Sequence, residues 1–423
     1  MGRTVSDLAI HGGEPVRPPG RAWPRWPVAA PAVPQLLTEA LHSRRWSVSS
    51  PHEPGHELFE RRFAAAWADY LGVGHCVPVD HGSSALVIAF ESLGLEYGDV
   101  VAVPALTWVA SASAALRAGL LPVLADVDPT TGCLDASALD QVPDARVVLP
   151  VHWACGMADV PALVTAAQAC GAVVVEDAAT AHGARWNGRA AGTIGRIGCF
   201  SMQNSKVLAA GEAGAVVTDD DALAGRLEEL RADSRRAVRD PGTGGVELTQ
   251  SCTVQGVNFA LGEFGAAVLC GQLTAFDEQQ RIRNANYATL LGLLDQVDGV
   301  RPLRHRPEQT VGSIYEVALV VDPLPAGVTN ADFAAALTAE LGVLWRTPTV
   351  PLQRNRMLQP WTKPALRTLA DRFRARHRDV AFTGAEYLAA HAVTSHHSTF
   401  LGTPEDMTDI VTAFGKVIRG LGR

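Results

Sequence analysis

The chain has 423 residues, 47% of them hydrophobic and 19% charged, with a formal net charge of -8 and no run of like charge. This composition excludes a disordered chain and a basic nucleic-acid footprint, and the length suits two domains better than one core. No apolar stretch reaches the roughly eighteen residues that a bilayer span needs.

Residues 1–35 are rich in proline and tryptophan, among them Pro18, Pro19, Trp23, Pro24, Trp26 and Pro27. They predict an extended arm that packs on the body or on a partner subunit. Met1 to Asp7 hold no apolar core followed by a cleavage site, and the seven cysteines are scattered without a CxxC pair. Reduced thiols and a cytoplasmic location are the expectation, with Cys155, in a loop after a strand, the thiol to watch. From Leu36 to Leu71, apolar residues such as Phe59, Phe63, Ala66 and Trp67 recur at helical spacing. Short apolar strands then alternate with helices. Cys76–Val79, Asp99–Pro104, Leu121–Val127, Arg146–His152 and Val173–Val175 read as strands, and Ser84–Leu93, Ser111–Ala118 and Val160–Cys170 as helices. Gly198–Ser201 and Ala215–Thr218 close the sheet, and residues 220–236 follow as a charged helix before a polar loop at 240–245. One long helix is expected from Glu263 to about Leu294. A strand at Tyr315–Val321 and a helix at Met407–Leu421 belong to the last part of the chain. The fold class is therefore α/β, with a mostly parallel, doubly covered sheet of seven strands and a smaller carboxy-terminal α/β domain. The expected divisions are an arm at 1–35, a large domain at 36–294 and a small domain at 295–423.

In such sheets ligands collect beyond the carboxyl ends of the strands, and the candidate site residues lie there. Asp80-His81-Gly82-Ser83-Ser84 is a strand end, a glycine turn and a helix start, which suits a phosphate and equally suits ordinary capping. Trp108 follows another strand end and could stack on a flat heteroaromatic ring or lie in the core. Asp177 ends the Val173 strand, where a buried acid needs a cationic partner. His182 either orients Asp177 or fills space. Ser201 and Lys206 are five residues apart around a turn, followed by the glycine-rich Gly211-Glu212-Ala213-Gly214. A strand-end acid and a lysine in a turn are what pyridoxal 5'-phosphate needs: the lysine amine forms a Schiff base with the aldehyde, and the carboxylate keeps the pyridine nitrogen protonated. His396-His397, on adjacent strand positions that point to opposite faces, makes a poor metal site, and no other metal site is expected.

In their order and spacing, Gly98-Asp99-Val100, Val151-His152, Glu176-Asp177, His182-Gly183-Ala184, Phe200-Ser201, Lys206 and Gly256-Val257-Asn258 resemble the DegT family of pyridoxal-phosphate aminotransferases. Leu230–Arg235 and Pro360–Lys363 are similar to its glutamine-dependent scyllo-inosose aminotransferases, with the 3-amino-5-hydroxybenzoate synthases next. The resemblance implies an aspartate-aminotransferase-like fold (fold type I) and a covalent link between Lys206 and the cofactor. It makes Asp177 the pyridinium partner and Trp108 the stacking residue. Gly82, Ser83, Ser84 and Ser201 hold the phosphate, and Asn258 reaches the phosphate of the neighbouring subunit, which makes the enzyme a homodimer with shared active sites. Its substrates would be small molecules, an amino donor such as glutamine or glutamate and a keto-cyclitol or keto-sugar. Thr180 stands where relatives carry glutamine near the cofactor's ring hydroxyl, Cys155 where they carry glycine, and Ser49–Gly55 where they carry a glycine-containing substrate loop. The family's dehydratases replace the lysine, so Lys206 argues against that chemistry.

Overall fold

A computed structural model describes residues 7–49, 57–239 and 246–422. Ser50 to Gly55 of the early loop and the polar loop 240–245 lie outside the described residues, as do residues 1–6, His56 and Arg423. The central sheet holds β1 (His75–Val79), β2 (Val100–Pro104), β3 (Leu121–Ala125), β4 (Ala145–Val148) and β5 (Val173–Asp177). After a small ribbon, β6 (Arg185–Trp186) and β7 (Arg189–Ala190), it is completed by β8 (Ile197–Ser201) and β9 (Gly214–Thr218). The seven strands lie in the order β1-β9-β8-β5-β4-β2-β3. Strands β2 and β3 are buried at every position, as strands covered on both faces must be.

One pairing decides where the site can form. β8 and β9 are antiparallel, so the chain returns through residues 202–213 without a crossover helix. That return carries Lys206 past the end of the sheet, next to the carboxyl end of β5, which pairs with β8 in parallel.

Helices α1 (Val33–His42), α2 (Phe59–Leu71), α3 (Gly82–Ser92), α4 (Ala110–Arg117), α5 (Val160–Ala169) and α6 (Asp221–Arg231) occupy the connections. In α2, Phe59, Phe63, Trp67 and Leu71 repeat every four residues and are all buried. Removing one such aromatic costs about 3–5 kcal/mol. Gly72, at φ 71°, ends the helix in the left-handed conformation that glycine adopts without strain. The stretch from Leu36 to Leu71 is two helices, since Arg44 turns left-handed (φ 55°) and the chain leaves helical geometry there. The long helix expected from Glu263 is likewise two, α7 (Glu263–Leu273) and α8 (Phe276–Leu294), broken at Thr274-Ala275.

Between these, β10 (Arg235–Arg239) and β11 (Val246–Gln250) form a separate hairpin. The last part of the chain builds a four-stranded antiparallel sheet from β12 (Val300–Pro302), β14 (Glu316–Val321), β15 (Trp345–Arg346) and β16 (Ala392–His396), while β13 (Gln309–Val311) joins the ribbon. Helices α9 (Asn330–Leu341), α10 (Arg367–His377), α11 (Thr383–His391) and α12 (Pro404–Leu421) pack around it. Phe333, Leu337, Trp345, Ile410 and Phe414 share one buried cluster there. The amino-terminal arm lies on this part of the body. Arg17 is buried, with its Nη1 2.7 Å from Asp406 and 2.9 Å from Asp409, and Trp23 donates to the Leu341 carbonyl at 2.7 Å. Among the described residues no helix is long and apolar enough to cross a membrane.

Candidate active site

The chain holds three lysines, Lys206, Lys363 and Lys416. Lys416 is tied to Glu340 at 2.8 Å, and Lys363 is exposed between two short 3-10 turns. Lys206 is half-buried, and among the described residues its ammonium has neither a hydrogen bond nor an ion pair. Its Nζ sits 4.3 Å from the centre of the Tyr315 ring. The tyrosine hydroxyl lies 3.2 Å from Ser205 Oγ, so one ring touches both the lysine and the residue before it.

Asp177 ends β5 and is buried. Its Oδ2 accepts from Ser111 Oγ at 2.8 Å and its Oδ1 from the Ala179 N–H at 3.2 Å; Ser111 is in turn 3.0 Å from Thr107 Oγ1. Burial pushes the carboxyl above its usual range, and these hydrogen bonds pull it part of the way back. No helix follows Asp177, so capping is not its task. The preceding Glu176 faces the other way. It accepts from His152 Nε2 at 3.0 Å and from the N–H groups of Gly192 (2.8 Å), Ile194 (2.7 Å) and Gly195, and so anchors the loop that leads into β8.

At the start of α3 the N-cap is His81, whose side chain makes no capping bond, and Ser83 and Ser84 lie inside the helix. The first N–H groups of this helix are therefore left to an outside acceptor. Gly82 meets Ser201 closely: a Cβ on it would lie 2.5 Å from the Ser201 Cβ. Only glycine lets this helix end and the end of β8 approach so closely, which sets Ser201 beside Ser83 and Ser84. Trp108, between β2 and α4, is 60% exposed, an unusual position for a tryptophan, and among the described residues no ring packs against it.

Other expected site residues are placed differently. The hydroxyl of Thr180 donates to the His152 carbonyl. His182 is wholly buried between the rings of Trp67 and Phe200, with the Ser201 main chain as its polar neighbour. Burial holds its pKa down to about 3. Among the described residues Asp177 takes its hydrogen bonds from Ser111 and Ala179, not from His182. Asn258 is exposed and accepts from the Ala260 N–H at 3.2 Å. Cys155 is buried with its thiol pushed up by desolvation, and the seven cysteines are free. Ser111, which orients Asp177, was not singled out in the sequence. It lies 66 positions away, and its only signal was its place in a strand-to-helix corner beside Trp108.

An open α/β sheet with a lysine, a buried acid and a bare helix end at its carboxyl edge defines an enzyme of group transfer on small molecules. The chain belongs to the DegT/DnrJ/EryC1/StrS aminotransferase family, which it matches over residues 35–367. It is 42% identical over 97% of both chains to an L-glutamine:2-deoxy-scyllo-inosose aminotransferase of Micromonospora echinospora. The corresponding enzyme of Streptomyces fradiae is 43% identical over 98% of both. Among solved structures, that of 3-amino-5-hydroxybenzoic acid synthase is similar at 28% identity with a TM-score of 0.78, over 94% of this chain and 99% of that one. The fold is accordingly the aspartate-aminotransferase-like α/β fold, and the chain is an aminotransferase.

Proposed function

We propose that the protein is a pyridoxal 5'-phosphate enzyme that moves the amino group of glutamine, or of glutamate, to the ketone of a cyclitol such as 2-deoxy-scyllo-inosose, in an aminoglycoside-type pathway. One observation carries the reading: a lysine ammonium and a buried carboxylate share one end of the sheet, close enough for the lysine's charge to act on the acid, yet among the described residues they form no ion pair with each other or with another group. The residues fit the cofactor on four counts. The uncapped start of α3, with Gly82, Ser83, Ser84 and Ser201, would take its phosphate. Asp177, oriented by Ser111, would hold its pyridinium nitrogen, and Trp108 would cover its ring. Lys206 would carry it covalently.

When bound, the cofactor supplies an aldehyde that exchanges amines and a ring that withdraws electrons from the neighbouring carbon. The rest falls to the chain. Asp177 would hold a positive charge on the ring nitrogen, because a buried carboxylate is stabilised by the cation it faces. Lys206 Nζ, once free, would take the proton from the donor's α-carbon and deliver it to the carbon that carried the aldehyde, a general-base and general-acid role worth about 10^2 to 10^4 in rate. Tyr315 supports the ammonium with its ring face. The arm 1–35, a large domain 36–294 and a small domain 295–423 are the divisions we infer, with the site at the junction of the last two. The relatives' acceptor supports a cyclitol. Purified protein given glutamine should convert 2-deoxy-scyllo-inosose to its amine, detected by mass. Turnover of nucleotide-linked keto-sugars instead would replace the cyclitol assignment with that acceptor class.

We also infer a homodimer in which Asn258 serves the partner's site, a reading supported by its exposed side chain and by the exposed Val257 beside it. Asn258→Ala should be inactive at limiting cofactor. Mixing it with Lys206→Ala should restore activity, since one intact site forms in each mixed dimer, about a quarter of all sites at equal amounts. No recovery after exchange of subunits would mean that each site is self-contained.

A further inference from the structure

We propose that His396 and His397, with Trp26 of the amino-terminal arm, are positioning residues for Lys206: they clamp the two peptide carbonyls that precede it. The proposal rests on Lys206 being the reactive amine. The Ser205 carbonyl lies 3.1 Å from His396 Nε2 and 2.9 Å from His397 Nε2. The Asn204 carbonyl accepts from Trp26 Nε1 at 2.9 Å. A carbonyl oxygen only accepts, so both imidazoles donate through Nε2 and use both lone pairs of Ser205.

The strand pattern of the pair suggested opposite faces, yet both rings reach one atom. β16 ends at His396, and a 3-10 turn begins at His397, which swings the second ring to the side of the first. The ring centres are 4.1 Å apart. Trp26 stands edge-on to His397 at 4.6 Å, and the Tyr315 ring lies 6.1 Å from it on the way to Lys206 Nζ.

Packing alone does not explain the pair. His397 is fully buried, and its Nδ1 has no partner among the described residues, a desolvation penalty that a phenylalanine or leucine would avoid. What the histidine adds is its Nε2–H. Three cations face the pair: Lys206, Arg283 from α8, and Arg346 from β15. Burial and these charges keep both rings neutral, which leaves Nδ1 unprotonated and Nε2 as the donor.

The remaining main chain of the turn is held from within. Lys206 N–H donates to Gln203 O and Asn204 N–H to Gly211 O, each at 2.8 Å, and Ser205 N–H donates to Gln203 Oε1 at 2.8 Å. The peptide units are therefore fixed while the lysine side chain is not. A base that must leave one atom and return to the same place needs that arrangement, because a misplacement of about 1 Å costs on the order of 10^2 in rate.

The test uses the enzyme loaded with pyridoxal phosphate. His397→Phe keeps the ring volume and removes the donor, and His397→Gln restores an N–H of similar reach. The Phe variant should lose about 10- to 100-fold in kcat with the KM for glutamine within about threefold. The pH at which the bound cofactor's visible absorbance switches should move, and the Gln variant should recover both. A folded Phe variant with wild-type kcat and switch pH overturns the proposal, as does a Gln variant as impaired as the Phe one. If His397→Phe does not fold, Trp26→Phe, which removes only the indole donor, and His396→Leu should shift the same two quantities in the same direction. Wild-type values in both overturn it. Borohydride reduction of the wild type separates the two readings. Label on Lys206 with unaffected variants refutes the clamp alone, and label on Lys363 or Lys416 refutes the clamp together with the catalytic assignment.

Discussion

Lys206→Ala is expected to lose activity by about 10^4-fold or more while the protein keeps its fold. The side chain would supply both the covalent attachment and the proton transfer, and proton transfer alone accounts for about 10^2 to 10^4. Stability should hardly change. Among the described residues the Lys206 ammonium donates no hydrogen bond, and the deletion keeps the main-chain bond to Gln203 while removing the contact with the Tyr315 ring, worth about 0.5–1 kcal/mol. The thermal midpoint and the circular dichroism of the variant should therefore match the wild type. A small primary amine in solution should restore part of the proton transfer, because the cavity left by the side chain opens beside a fixed backbone. A variant that retains one-hundredth of the wild-type rate without added amine would remove Lys206 from the chemistry. The three-lysine count makes the alternatives few: Lys416 is committed to Glu340, and Lys363 lies far along the chain in an exposed turn.

Much of this site was legible because its signals are local. The apolar β5 ends in Glu176-Asp177, the Gly82 turn opens α3, and Lys206 follows β8 by five residues. Each needs only a strand end and the residue after it. What stayed hidden depends on distance along the chain. Ser111 reaches Asp177 only because β2 and β5 are brought together by β4. His396 and His397 reach Ser205 across some 190 positions, and adjacency in sequence pointed to opposite faces because the strand end at His396 carries no glycine or proline to mark it. The break between α7 and α8 at Thr274-Ala275 is silent for the same reason. For His182 the sequence left two readings open, orienting Asp177 or filling space, and in the structure its ring lies between those of Trp67 and Phe200.

Asp177→Asn should separate function from stability, with opposite signs. In the cofactor-free protein the carboxylate is buried with no ion pair among the described residues, and burial raises its pKa by more than its hydrogen bonds and the charge of Lys206 lower it. A group whose folded pKa is raised above the unfolded value of about 3.9 destabilises the fold progressively as pH rises through that interval, and the full cost is present above it. The Asn variant removes the charge and keeps a partner for Ser111, whose hydroxyl can reverse its role. Without cofactor the variant should melt higher than the wild type at pH 7, by an amount on the order of 1 kcal/mol, and the difference should vanish near pH 3. With cofactor the order reverses. The buried carboxylate then has its cation, and breaking such a pair costs about 3–5 kcal/mol. Cofactor should raise the melting temperature of the wild type much more than that of the variant, and kcat should fall by roughly 10^2 to 10^3. A variant that melts lower without cofactor and turns over at the wild-type rate would mean that Asp177 is a structural acid and that the ring nitrogen is held by another group.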